Sequence, residues 1–407
     1  MEATAALPLA GVRVIDASSA YAGPTAAMYL ADMGADVIKV ERPGDGDDTR
    51  QWGPPFIGDL SAWFASANRN KRSICLDLTS PTGREVLNRM LRRAQVFLVS
   101  QNPRKLVKHG LAPAEIARSH PQLICFAISG FGLTGPDWDD PGYDLIAQAR
   151  SGMMSVTGES GRPQRVSTAL TDIVAGLVAA YAIAAALRRL ELTGRGELID
   201  VSLLDSALAL MAPRVASYLA GDPEPQPCGA TDSVLAVYQT FDTADDPIVL
   251  AVGNDAMWQR LCTVLQLREF AEADVLSDNT GRRQARTAIT EAIARTLRSR
   301  GAQEWLRRLD DASIPAAPVQ RLSEVVADTQ VRARNAILNI GDGDGAAIEV
   351  VRAPWRLGSS PSPAADDPPP QLGEHTAEVL EEFGFSSVER ETLASEGTVW
   401  GQVATRS

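Results

Sequence analysis

A chain of 407 residues, 45% hydrophobic and 22% charged, is long enough to bury a large core and to divide into two domains, and its composition excludes a disordered or fibrous protein. The net charge of −12 argues against a nucleic-acid surface or an anionic membrane as partner, because phosphate binding needs a basic face, so an anionic ligand has to be met by local basic residues. Four cysteines, Cys75, Cys125, Cys228 and Cys262, stand far apart without C-x-x-C spacing, the pattern of buried thiols in a reducing compartment rather than of a disulfide framework.

The first residues, MEATAALPLAGVRVID, lack a basic n-region and a cleavable apolar core, so no secretory signal is expected. The longest apolar run, residues 173–187, falls short of the ~20 residues that span a bilayer. The expectation is a soluble, cytoplasmic protein.

In chain order, residues 12–16 are β-rich, residues 24–33 are helical in pattern with Pro24 near the first turn and Gly34 at the end, and residues 36–41 form a second strand. This β-α-β start implies a parallel sheet. Strands at 73–78, 96–100 and 123–129 and a helix at 80–94 continue it, which predicts an α/β fold with a doubly wound, mostly parallel sheet. Residues 130–135, GFGLTG, match G-x-G-x-x-G after a strand, but a dinucleotide site requires a helix to open at those glycines. Pro136 to Gly142 follow instead, and the NAD reading is set aside.

Asp172 stands just before an Ala-rich apolar helix at 173–187, closed by Arg188-Arg189. An acid in the first turn of a helix feels the partial positive charge of unpaired N–H groups, which favours a carboxylate at neutral pH. Position and charge alone fit a structural helix cap as well. The glycines and prolines between Gly130 and Gly161 make the preceding stretch mostly loop, where function concentrates. Residues 194–205 read as a turn, a strand and a new helix start, and residues 221–227 as a proline-rich linker.

Beyond the linker, two strands within 234–250 flank a polar turn at 242–246, and helices follow at 256–265, 282–299 and 303–312, a smaller α+β domain. The cluster Asp342-Gly343-Asp344-Gly345 lacks EF-hand spacing and reads as a hairpin turn. Residues 359–370 are a low-complexity extended stretch. The expected organisation is a large domain over 1–220, a small domain with its linkers over 221–324, and a return to the large domain over 325–407.

Several segments carry a family resemblance: Gly142-Tyr143-Asp144 with Thr171-Asp172-Ile173, the GFGLTGP loop, residues 194–205 (GRGELIDVSLLD), residues 314–319 (IPAAPV) and residues 372–376 (LGEHT). Together they closely resemble the class III CoA-transferases, the CaiB/BaiF family, over nearly the whole chain. The resemblance implies transfer of coenzyme A between an acyl-CoA and a carboxylic acid, with Asp172 as nucleophile, and no metal or redox cofactor. It implies CoA contacts from Arg42, Leu76 and Lys108 around the nucleotide, from Tyr21 and Ala22 at the thioester end, and from Tyr143 near the thioester or acyl group. Where members of the family read ENFRPG this chain reads VSQNPR at 99–104, which leaves Ser100 in that segment and Arg104 to replace a lost charge. Gln148 and Arg150 fit roles in the loop structure better than roles at an acceptor carboxylate. The resemblance also implies an interlocked homodimer.

Two alternatives stay open at this point. An α-methylacyl-CoA racemase of the same family places His before the Asp of a GHD motif. Here Tyr143 occupies that place and the three histidines, His109, His120 and His375, lie elsewhere; a tyrosine with pKa near ~10 is a poor base at neutral pH. A non-catalytic CoA-binding homologue is permitted by the departures at Asn102 and residues 228–233 and opposed by Asp172 and the intact GYD segment.

Overall fold

The computed structural model describes residues 7–159, 161–227, 229–231, 234–341, 347–357 and 367–401. The chain packs as two units, one comprising Met1–Met153, Val166–Pro213 and Gln330–Ser407, the other Met154–Arg165 and Arg214–Thr329. The smaller unit thus takes in a segment before Val166 that carries no linker signal, and the second division falls at Pro213, inside a helix, rather than in the proline-rich run at 221–227.

The larger unit is built on six parallel strands, β1 (Arg13–Ala17), β2 (Asp36–Glu41), β3 (Lys71–Leu76), β4 (Val96–Val99), β5 (Ile124–Ser129) and β6 (Leu198–Ser202), in the order β6-β5-β4-β1-β2-β3. Val399–Trp400 adds an antiparallel edge beside β3. Alternate residues serve opposite faces: Val14, Val37, Val96 and Ile124 enter one apolar core, and Ile15, Ile38, Phe97 and Cys125 the other. Burial of both faces with period two is what a parallel sheet covered by helices requires. The doubly wound α/β expectation holds, and strand order reverses between β1 and β4, the switch point at whose carboxyl ends ligands of such sheets bind.

One face carries α1 (Ala22–Asp32) and a 24-residue helix that begins at Leu170 and ends at Thr193; the other carries α3 (Pro81–Leu91) and Thr376–Glu382. Between these in sequence lie α2 (Ala62–Asn68), α4 (Pro103–Lys108) and α5 (Asp144–Arg150), so the long helix is α6 (Leu170–Thr193), followed by α7 (Leu203–Leu219). The sequence reading stopped α6 at 173–187. It runs on through Arg188 and Arg189 to Gly194, whose φ of 66° ends it, since glycine adopts that left-handed conformation without strain.

Its length and composition therefore reach those of a membrane-spanning helix, contrary to the sequence expectation, yet Ala175, Ala179, Ile183 and Leu187 bury it in the core. A Cβ added at Gly176 would lie 2.9 Å from the Ala22 carbonyl oxygen and 3.0 Å from Thr25 Cβ. Glycine there lets the first turns of α6 press onto the first turn of α1.

In the smaller unit β7 (Tyr238–Phe241), β8 (Ile248–Ala251) and β9 (Ala316–Pro318) form an antiparallel sheet in that order. Trp258, Leu261, Ile289, Ile293, Trp305 and Leu309 pack its core. Residues 314–319, one of the segments that carry the family resemblance, supply β9, paired Ile248 to Pro318; Pro318 is tolerated because β9 is an edge. The single helix expected at 282–299 is split into Asn279–Gln284 and Arg286–Leu297.

Back in the larger unit, β10 (Ile337–Ile340) and β11 (Ile348–Val351) form an antiparallel hairpin. Its expected turn at 342–345 lies outside the described residues, as do Cys228, Asp232, Ser233 and most of the low-complexity stretch.

Candidate active site

The loops after β1 to β5 surround a cavity of about 490 Å³ at the switch point of the larger unit. Tyr21, Ala22, Arg42, Leu76, Ser100, Tyr143 and Asp172, named from sequence, all line it. Arg104 and Lys108 do not; Lys105 and His109 do. The helical repeat explains the exchange: residues four apart share a face, so 104 and 108 point one way and 105 and 109 the next. Arg104 is committed to Asp139, and the neighbouring Asn102 caps α4 through the Arg104 N–H at 3.0 Å while donating to the Asp139 carbonyl at 2.7 Å.

The GFGLTGP loop opens no helix; the chain stays irregular from Gly130 to Tyr143. What its first glycine does is admit another strand of chain. A Cβ on Gly142 would come within 2.2 Å of Gly130 Cα, and one on Gly130 within 2.5 Å of Gly142 Cα. The two loops cross with nothing between them, and the crossing delivers Tyr143 and Asp144 to the start of α6.

Asp172 is the third residue of α6, and the residue at the cap position is Ala169, which makes no side-chain capping bond. The Asp172 carboxylate accepts no hydrogen bond among the described residues, so it is not the structural peg that position alone allowed. Capping comes from Asp144, whose Oδ1 accepts the Thr171 backbone N–H at 2.8 Å and the Thr171 hydroxyl at 2.7 Å. Burial first, and the Asp144 charge second, push the Asp172 carboxyl up to about 7. The helix-start argument for a fully ionised acid is thus outweighed: Asp172 titrates in the neutral range rather than in the ordinary carboxylate range.

Asp144 was quoted from sequence only as part of a motif, and its role was missed because the helix turn it caps lies 27 residues further on. Buried Gln148 supports it, donating to Asp144 Oδ2 at 2.7 Å and accepting the Val166 N–H at 2.9 Å. Arg150 pairs with Asp137 at 2.7 Å and stacks over Phe131. Both serve the loop.

Tyr21 closes the other side. Its hydroxyl lies 2.9 Å from Ser66 Oγ, and Ser66 Oγ donates its only proton to the Trp63 carbonyl at 2.8 Å; Tyr21 therefore donates to Ser66 and presents only acceptor lone pairs elsewhere. Burial, with the Asp172 charge adding to it, raises the Tyr21 pKa. Ser100 is equally committed, accepting the Ser19 N–H at 2.8 Å and donating to the Ser19 carbonyl at 3.0 Å, which ties β4 to the loop after β1. Arg42 is exposed and paired with Asp48.

Under that loop lies a buried ionic network that no sequence spacing signals. Lys71 Nζ donates to Asp16 Oδ2 at 3.0 Å, to the Pro24 carbonyl and to Asn68 Oδ1, both at 2.8 Å. Lys39 Nζ donates to Asp47 Oδ2 at 2.8 Å and to the Ser18 carbonyl at 3.1 Å, and Asp47 Oδ1 accepts the Ala20 N–H at 3.2 Å. Residues 18–20 are thereby fixed from below. Among the described residues no group of three or more His, Cys, Asp or Glu side chains is placed to hold a metal ion.

Comparison with known proteins accords with this geometry. Residues 9–376 match CoA-transferase family III. A succinate–glutarate CoA-transferase of Agrobacterium fabrum is 38% identical over 92% of this chain and 96% of its own. A succinyl-CoA:glutarate CoA-transferase of Mus musculus is 37% identical over 92% and 86%, and an acetyl-CoA:oxalate CoA-transferase of Acetobacter aceti 34% identical over 92% and 96%. The crystal structure of a CaiB/BaiF family protein from Brucella suis superposes with a TM-score of 0.81 at 35% identity, covering 92% of this chain and 99% of that one. The chain belongs to CoA-transferase family III and is a CoA-transferase.

Proposed function

We propose that this enzyme moves coenzyme A between an acyl-CoA and a carboxylic acid by covalent catalysis on Asp172. The observation that carries the reading is a carboxylate free of any hydrogen bond, standing in the cavity at the switch point of the sheet. Asp172 attacks the thioester carbonyl carbon; the C–S bond breaks, CoA leaves as thiolate, and an aspartyl–acyl anhydride remains. The thiolate then attacks the aspartyl carbonyl and expels the donor acid, giving an aspartyl-CoA thioester. The acceptor carboxylate attacks that carbonyl, the thiolate departs again, and its return to the acceptor's acyl carbon forms the new acyl-CoA and restores Asp172.

A carboxylate is a weak nucleophile, so ionisation and position have to come from the protein. An acid poised near neutral pH balances the fraction ionised against the basicity that makes the ionised form attack. The backbone at Gly130 and Gly142 lines the same cavity and supplies the polar cradle for the tetrahedral oxyanion. Lys105 and Arg42 form the cationic side of the cavity for the CoA phosphates, with the His109 ring beside them as a further polar group. The racemase alternative is disfavoured because Tyr143, not a histidine, stands before Asp144; His109, which lines the same cavity, lies on the α4 side of it.

The acids to try first are the four- and five-carbon dicarboxylates in the names of the relatives, with succinyl-CoA as donor. A homodimer belongs to the same reading. It is supported by apolar side chains that α6 leaves in solvent, Val178, Tyr181 and Leu192, which a partner subunit would cover. The test of the mechanism is intact-mass detection of a hydroxylamine-sensitive adduct on Asp172 after incubation with succinyl-CoA. Absence of an adduct across a broad donor panel, with CoA still bound, sinks the proposal in favour of a CoA-binding protein.

A further inference from the structure

We propose that Asp144 is a positioning residue for the nucleophile: it fixes the first turn of α6 through Thr171 and sets a second, acceptor-only carboxylate beside Asp172. The proposal rests on the reading of Asp172 as nucleophile and adds to it the group that decides when that nucleophile is available.

The geometry makes Asp144 a hub. Its Oδ1 takes both protons that Thr171 offers, at 2.8 and 2.7 Å, and its Oδ2 takes one from Gln148 Nε2 at 2.7 Å. Gln148 in turn receives the Val166 N–H at 2.9 Å, so one carboxylate links α5, the loop before α6 and the first turn of α6. Thr171 and Gln148 are both fully buried. Three donors converge on two oxygens and no acceptor faces them, and an acceptor-only carboxylate is the form that fits.

Asp172 is next to Thr171 in sequence and has no such partners. The charged and titratable groups on the elements packed against α6 are few. The loop into α5 and α5 itself bring Asp140, Tyr143, Asp144 and Arg150, the last spent on Asp137. The start of α1 brings Tyr21, its middle Tyr29, and its far end Asp32, which is locked to Arg69. From β6 comes Asp200, which accepts the Leu133 N–H at 2.8 Å, and β5 brings only Cys125, which packs into the opposite face. None of these is a cation free to neutralise Asp172. The charge of Asp144 therefore acts on Asp172 unopposed, in the same sense as the burial that raises its pKa.

The consequence is a trade between availability and reactivity. With Asp144 in place, Asp172 ionises late and is a more basic carboxylate when it does; without it, Asp172 ionises early and is a weaker nucleophile. Asp144→Asn separates charge from anchoring, because the amide oxygen still accepts from Thr171. In this variant the acid limb of the kcat/KM profile for succinyl-CoA is expected to move down by about one pH unit, with a lower plateau and little change in KM. Asp144→Glu, which restores the charge, returns the limb toward its wild-type position.

A ¹³C-aspartate NMR titration of the free enzyme, with the Asp172 signal assigned by its loss in Asp172→Asn, reads the same shift without any turnover. A residue that only anchors the helix leaves both titrations where they were while lowering thermal stability. Unmoved titrations in a folded Asp144→Asn enzyme that still binds CoA overturn the proposal. If instead Asp172→Asn keeps full turnover, it is the nucleophile reading that fails, and the NMR shift in Asp144→Asn still reports on Asp144 by itself.

Discussion

Asp16, at the end of β1, and Asp172, in the first turn of α6, are both shielded from water, and the shielding ends in opposite states. Around Asp16 burial pushes the carboxyl up, but Lys71, Lys39 and the Ser18 hydroxyl more than offset it and leave the group below the usual carboxylate range. Asp47 behaves alike, with Lys39 and Thr49 as its partners. Burial, joined by repulsion from Lys39, holds the Lys71 ammonium down to about 8, still charged at neutral pH. Around Asp172 burial acts in the same direction and nothing answers it. The difference separates two uses of a buried acid: paired and bonded, it fixes a loop; left unpaired beside another acid, it is strained toward reaction.

Removing each acid's distinguishing feature tests the contrast. The largest effect is expected at Asp172, where Asp172→Asn should lower turnover at least about a thousandfold, because the amide cannot form the acyl anhydride on which both half-reactions depend. A steady-state assay with succinyl-CoA and glutarate checks it, and a variant retaining a tenth of wild-type activity ends the nucleophile assignment. Next comes the paired site. Lys71→Met leaves Asp16 buried without its cation, and breaking such a pair costs about 3–5 kcal/mol. Chemical denaturation should show that loss, and a variant within ~1 kcal/mol of wild type means that the network is ornamental.

How much of this contrast can be read from sequence depends on how far apart the contributing residues lie. The β-α-β pattern at 12–41 and the Gly-rich loops made the doubly wound sheet legible, because strand alternation and helix caps are local signals. Asp172 was legible as an acid at a helix start in a loop-rich segment. Its electrostatic state was not, since it depends on Asp144, whose carboxylate reaches Thr171 from 27 residues away. Lys71 meets Asp16 across 55 positions, a distance over which no periodicity connects residues. The choice of Arg104 and Lys108, where Lys105 and His109 line the cavity, failed for a subtler reason: motif position gives the helix, and only the helix's rotation about its axis gives the face.

A third break in the comparison uses pH. With Asp172 at about 7, kcat/KM should be flat above pH ~8 and fall about tenfold per unit below ~7, reaching roughly one hundredth of its plateau near pH ~5. A profile already flat at pH ~5 places Asp172 with Asp16 among the acids held low.

The smallest effect is the most diagnostic, because it has the sign a structural residue cannot produce. The folded pKa of Asp172, about 7, lies above the ordinary value of 3.8, so the folded protein binds this proton more tightly than the unfolded chain does. Its favourable contribution is complete below pH ~4 and is lost as pH rises through ~7; above that, folding has to bury a charge. Discounted for partial exposure of the site, the difference is about 2 kcal/mol. Asp172→Asn carries no charge to bury, so it should be more stable than wild type by that amount at pH ~8 and nearly equal to it at pH ~4. A helix cap predicts otherwise, since Asn and Asp cap about equally well and the two proteins should then melt together at both pH values. Paired thermal melts therefore test the reading without any substrate: a gain confined to the alkaline arm marks a site where stability is held below its optimum for function, coincident melts return Asp172 to the helix caps, and a loss at pH ~8 places it with Asp16.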